Sequence, residues 1–139
     1  MHETILAFDF GLRRIGVAVG QQVTNSASPL GVVNNGESGP DWQNIRQLIK
    51  EWQPDRLIVG LPLHADGSTS ELAETSTRFA EDLGRFERPV ELVDERYTSV
   101  EAQQQLKNAR AAGARGRITK DMIDSAAAVQ IAERFLTSR

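Results

Sequence analysis

The sequence predicts an α/β protein built on a five-stranded mixed sheet, strand order 3-2-1-4-5, with helices on both faces. Short, nearly continuous apolar runs recur along the 139 residues, as strands covered on both faces require. The early runs are joined by short connections, which favour an antiparallel meander. The later runs alternate with helical patterns, which favour parallel crossovers. Such crossovers are right-handed, and this leaves few ways to stack the helices.

Each element follows in order. Thr4-Ile-Leu-Ala-Phe-Asp9 reads as a strand buried on both faces, and Gly11 allows a turn after it. Arg14 to Gly20 is the second strand, and Val23 to Val33 contains the third, with Pro29 at a bend or edge. Asn34 to Gly39 reads as a turn cluster and Pro40 as part of a first helical turn. Trp42, Ile45, Leu48, Ile49 and Trp52 recur at helical spacing, which makes both tryptophans core residues. Pro54 ends that helix, and Arg56 to Gly60 forms a fourth strand.

A loop from Leu61 to Ser70 contains His64 and Asp66, and Ser68 with Glu71 has capping-box spacing for the next helix. Leu72, Phe79, Ala80 and Leu83 mark its apolar face. Pro89 to Asp94 is the last strand. Thr98 and Glu101 open a helix towards Asn108, Ala109 to Thr119 is a basic loop, and Met122 to Leu136 is the terminal helix. With no linker or repeat, residues 1–139 read as a single domain.

Composition bounds the chemistry. The chain has no cysteine, which excludes disulfides, thiolate catalysis and cysteine metal sites. No stretch is long enough for a signal core or a membrane span, so a soluble, cytoplasmic protein is expected. The net charge of −3 argues against bulk nucleic-acid binding, but the charge is unevenly spread. Residues 102–120 carry five basic side chains and no acidic one; the other 120 positions carry 11 basic and 19 acidic. An acidic body with one basic segment suggests a localised site for an anion. Lys107, Arg110, Arg115, Arg117 and Lys120, with Arg13 and Arg14 beside the first turn, are the candidate nucleic-acid contacts.

Carboxylates stand out in three places. Asp9 ends a strand whose neighbours are apolar, where an uncompensated charge is costly. Asp124 falls on the same helical side as Ala128, Ile131 and Phe135, the stripe that should bury against the sheet. Glu95 sits at the carboxyl end of the last strand, where open α/β sheets build their sites. Strand alternation puts Asp94 and Glu95 on opposite faces. Convergence of three such charges demands cations, and oxygen donors select hard ions, Mg²⁺ or Mn²⁺. A pair of ions can activate water and stabilise the leaving oxygen of a phosphodiester. No Walker-type phosphate loop and no nucleophile elbow is present.

The sequence resembles the bacterial Holliday-junction-resolvase-like family, also described as pre-16S ribosomal RNA nucleases. The matching stretches are Ala7-Phe-Asp-Phe-Gly11, Arg14-Ile-Gly-Val-Ala-Val-Gly20, Ile58-Val-Gly-Leu-Pro62, Asp94-Glu-Arg96 and Asp124-Ser-Ala-Ala127, in order over nearly the whole chain. The resemblance implies an RNase H-like fold and a metal-dependent nuclease in ribosome biogenesis. It also implies Asp9, Glu95 and Asp124 as catalytic and metal-binding residues, with Mg²⁺ or Mn²⁺, two ions, as cofactor.

One departure stands against authentic junction resolvases: the fourth strand runs into Gly60-Leu-Pro62 without a carboxylate. Asp66 or Asp94 therefore stays open as a companion or replacement for Glu95. The expected partner is nucleic acid, precursor RNA ahead of branched DNA, bound by a monomer or weak homodimer without a membrane. The competing readings are a four-way DNA junction resolvase, which should be a two-fold dimer, and a nucleotide-phosphate-binding or non-catalytic RNA-binding module.

Overall fold

The computed structural model describes residues 3–62, 71–94 and 120–137, and of residues 120–124 the backbone alone. Its strands are β1 (Thr4–Phe10), β2 (Arg14–Gln21), β3 (Ser26–Gly36), β4 (Gly39–Pro40), β5 (Arg56–Leu61) and β6 (Val90–Asp94). Its helices are α1 (Trp42–Trp52), α2 (Glu71–Leu83) and α3 (Lys120–Thr137), with a 3₁₀ turn at Gly84–Phe86. The sheet order is β4-β3-β2-β1-β5-β6. β1 to β4 form an antiparallel meander, and β5 and β6 extend it in parallel from β1. The expected order of the five long strands is therefore observed.

The sheet has six strands rather than five, because Gly39 and Pro40 pair with Gly36 and Asn35. Gly39 supplies the positive φ of 94° that this hairpin needs. Pro40 lacks an N–H to donate and is tolerated on the outermost strand. It thus belongs to β4 and not to a helical turn; α1 starts at Trp42, and the Asp41 carboxylate caps it by accepting from the Asn44 amide at 3.2 Å. Asn34 and Asn35, expected in a turn, are strand residues that continue β3. Val23 lies outside any strand and is exposed, and β3 begins only at Ser26. A bulge opposite Val17 and Ala18 brings Gly31 to a φ of 118° beside Pro29.

The alternation of β1 divides the core in two. Leu6, Phe8 and Phe10 face α1 and α2, where Ile45, Ile49, Phe79 and Leu83 close the layer. Trp42, Leu48 and Trp52 pack against this cluster, as the helical spacing predicts. Phe79 is its centre: Phe8, Phe10 and Trp42 surround it at ring-centroid distances of 5.6, 5.0 and 5.6 Å. Ile5 and Ala7 face the other way, against Ile131, Ala132, Phe135 and Leu136 of α3. Both faces of the sheet are therefore covered. The helix expected near residues 98–108 and the loop containing His64, Asp66 and Ser68 lie outside the described residues.

Candidate active site

The carboxyl ends of β1, β5 and β6 lie side by side. Phe8 pairs with Val59, and Leu61 pairs with Asp94. The opposite end of the sheet is held by charge. Arg56 donates to Glu91 at 2.6 Å and to Glu3 at 3.2 Å, and Asp55 accepts from the Thr4 amide at 2.8 Å. The ion pairs thus gather at one end of the sheet, and Asp9 stands at the other.

Asp9 is half-buried at the end of β1, opposite Gly16 of β2. Alternation puts it on the face of Ile5 and Ala7, the face that α3 covers. The small partner Gly16 leaves this position without a facing side chain on β2. α3 runs back along the sheet from this end. Leu136 near its C-terminus would touch a Cβ added at Gly20, which pairs with Ile5 at the start of β1. Near its N-terminus, the Ser125 hydroxyl donates to the Gly31 carbonyl at 3.0 Å, and Gly31 pairs with Val17, which pairs with Phe8. Asp124 directly precedes Ser125, so its backbone lies at the Asp9 end of the sheet. Ala128, Ile131 and Phe135, the stripe on which the sequence put Asp124, are all buried.

Of the other expected site residues, Glu95 follows β6 directly and lies outside the described residues. Val93 packs with the α3-face cluster, and Asp94 ends the strand. Arg134 of α3 donates to the Asp94 carbonyl at 2.5 Å, tying the end of β6 to the helix. Arg13 is exposed and Arg14 half-buried at the start of β2. Lys120 opens α3, while Lys107, Arg110, Arg115 and Arg117 lie outside the described residues. Among the described residues, which include the side chain of Asp9 but not those of Glu95 and Asp124, no cluster of three potential metal ligands is found.

Asn35 was not anticipated. Its side chain is 6% exposed, and its amide nitrogen donates to the Gly11 carbonyl at 2.6 Å. Its backbone N–H donates to the Arg13 carbonyl at 2.9 Å. One residue of β3 therefore grips both ends of the turn that follows Asp9. Gly11 fits the same construction, since a Cβ there would lie 2.5 Å from the Arg14 carbonyl oxygen. In the sequence, Asn34-Asn35-Gly36 carries only a turn signal, so nothing marked Asn35 for this role.

A mixed sheet flanked in this way is an RNase H-like fold, the class that includes the junction resolvases. It matches Thermus thermophilus RuvC in complex with Holliday junction substrate with a TM-score of 0.56, at 14% identity, over 99% of this chain and 95% of that one. The fowlpox virus resolvase bound to Holliday junction DNA gives 0.56 at 13% identity, over 97% of each chain. The chain belongs to the RuvX family, described as Holliday junction resolvase, whose model matches residues 3–138. Relatives named "Putative pre-16S rRNA nuclease" include one from Nitrosococcus oceani, 48% identical over 136 residues, 97% of this chain and 87% of that protein. Another, from Escherichia coli O157:H7, is 46% identical over 136 residues, 97% of this chain and 96% of that protein. Among the described residues no helix is long and apolar enough to cross a membrane.

Proposed function

We propose that this protein is a metal-dependent nuclease that hydrolyses phosphodiester bonds in the 5′ region of pre-16S ribosomal RNA. The observation that carries the reading is Asp9, a half-buried carboxylate at the end of an apolar strand, on the sheet face covered by the helix that has Asp124 near its N-terminus. Family membership and the names of the relatives support the nuclease class and the RNA. In this reading residues 1–139 act as one domain, in the cytoplasm, as a monomer or weak homodimer.

Asp9, Glu95 and Asp124 would hold the metal. The donor set is all carboxylate in a chain without cysteine, which fits Mg²⁺ or Mn²⁺, two ions in the usual arrangement for such chemistry. When bound, such ions activate water and stabilise the leaving oxygen. The protein's own part is position. β1, paired on both sides and buried, holds Asp9 at a fixed height. The Asn35 hydrogen bonds fix the turn beyond it, and Arg13, Arg14 and the basic segment of residues 107–120 bind backbone phosphates.

The test uses end-labelled precursor ribosomal RNA and a labelled four-way DNA junction, each with Mg²⁺, Mn²⁺ or EDTA, beside the Asp9→Asn protein. The expected result is metal-dependent cutting of the RNA that Asp9→Asn abolishes while its circular dichroism is unchanged. Symmetric cutting of the junction alone, by a dimer, would establish the resolvase that the family description names. Cutting at the wild-type rate by Asp9→Asn would remove the site assignment.

A further inference from the structure

We propose that the groove on the α2 side of the Gly11–Arg13 turn is a pocket for one unpaired nucleobase of the substrate strand, next to the phosphate that Asp9 addresses. The inference rests on the nuclease reading above and adds a contact to it. The groove has a volume of about 300 Å³, at the small end of ligand pockets. Phe10 and Phe79 form its floor, Thr75, Arg78 and Asp82 of α2 one wall, and Leu12 its lip. A base has an apolar face and a polar edge, and this lining offers both.

Three observations favour a base over other occupants. First, Leu12 is 71% exposed although the turn that carries it is fixed at both ends by Asn35. An aliphatic side chain held out in water beside a cleft is suited to wedge against a base. Second, Arg78 and Asp82 make no side-chain hydrogen bond or ion pair among the described residues. One offers donors and the other acceptors, as a base edge requires; a phosphate would be repelled by Asp82. Third, position ties the groove to the chemistry. Phe10 follows Asp9 directly, with its side chain on the opposite face of β1. A strand crossing the end of β1 therefore meets Asp9 on one side of the turn and the groove on the other. A second hollow shares Leu12, Asn35 and Gly36 with the groove and includes Arg13, whose guanidinium is unpaired among the described residues. Arg13 thus offers a phosphate of the same strand a cation next to Leu12, in a hollow that Glu37 also lines.

The experiment uses the Asp9→Asn protein, which separates binding from cleavage, and single-stranded RNA oligonucleotides of the cleavage region. In each, 2-aminopurine replaces one base in turn. Binding should change the fluorescence at one position beside the cleavage site. Adding Leu12→Ala or Arg78→Ala should remove that change and weaken binding about tenfold. An abasic nucleotide at the same position should erase the difference between these variants and their parent. Both side chains are exposed, so folding is not at risk. RNA that binds with no position-specific signal, or variants that keep the signal, would overturn the pocket and leave the nuclease reading standing. Failure of the parent to bind any of the RNAs would overturn both.

Discussion

Asn35 and Gly11 show how little of a site resides in its charged residues. The amide of Asn35 satisfies a carbonyl in the turn that begins one residue after Phe10, and it does so from a nearly buried position. Truncation to alanine leaves the Gly11 carbonyl without this partner, so Asn35→Ala should cost about 1–2 kcal/mol in urea denaturation. The loosened turn should also lower kcat, because the turn that carries Leu12 and Arg13 next to Asp9 no longer sets how the substrate strand meets that carboxylate. A variant that loses stability with unchanged kcat would show that Asn35 only braces the fold. Gly11→Ala belongs to the same test. Its Cβ would meet backbone rather than a movable side chain, and the turn must shift, at a cost of about 1–3 kcal/mol. Asp9 was legible in the sequence because a carboxylate among apolar neighbours violates local expectation. Asn35 was not, because an asparagine before glycine is ordinary turn composition, and it is the pairing of Asn34 with Arg14 and of Asn35 with Pro40 that continues the strand through it.

At the scale of elements, α3 decides whether the proposed site is assembled, since its N-terminal end, with the backbone of Asp124, lies at the Asp9 end of the sheet. Its sheet-facing surface begins with Ser125, Ala127 and Ala128, all buried, and ends with Phe135 and Leu136. Small residues near the site let the helix approach the sheet closely, near enough for the Ser125 hydroxyl to reach the Gly31 carbonyl. Ala128→Leu should therefore push the start of the helix outwards, cost about 1–3 kcal/mol in thermal or urea denaturation, and reduce cleavage beyond what unfolding explains. Glu133→Ala, on the exposed side, is the control and should change neither. The long strands and the helices were legible because buried runs and a 3.6-residue period are properties of composition along the chain. β4 was not: a two-residue strand containing proline has no period, and it exists only because a hairpin folds it onto β3. The bulge in β3 was equally hidden, although Pro29 marked an irregularity there.

For the whole molecule, the governing feature is the separation of charge. The chain carries −3 overall, yet residues 102–120 contain five cations and no anion. An acidic body repels a polyanion at long range, so in the proposed function encounter with the nucleic acid is steered to the basic segment and to Arg13 and Arg14. The sequence made this asymmetry plain, because charge is counted along the chain and needs no fold to be seen. Its functional consequence is measurable in solution. If Arg115 and Arg117 each neutralise one phosphate, replacing both with glutamine removes two counterions from the binding equilibrium. The slope of log K against log salt should then flatten by about 1.4 for a single-stranded substrate. Affinity should fall most at low salt and converge with wild type as salt rises, while kcat on saturating RNA stays unchanged. Arg56→Gln is the matched control: it removes a cation paired with Glu3 and Glu91 at the opposite end of the sheet, so it should lower stability and leave the salt slope as it was. An unchanged slope in the double variant would mean that the basic segment is solvated and that Arg13 and Arg14 carry the phosphate contacts, in which case replacing those two should flatten it instead.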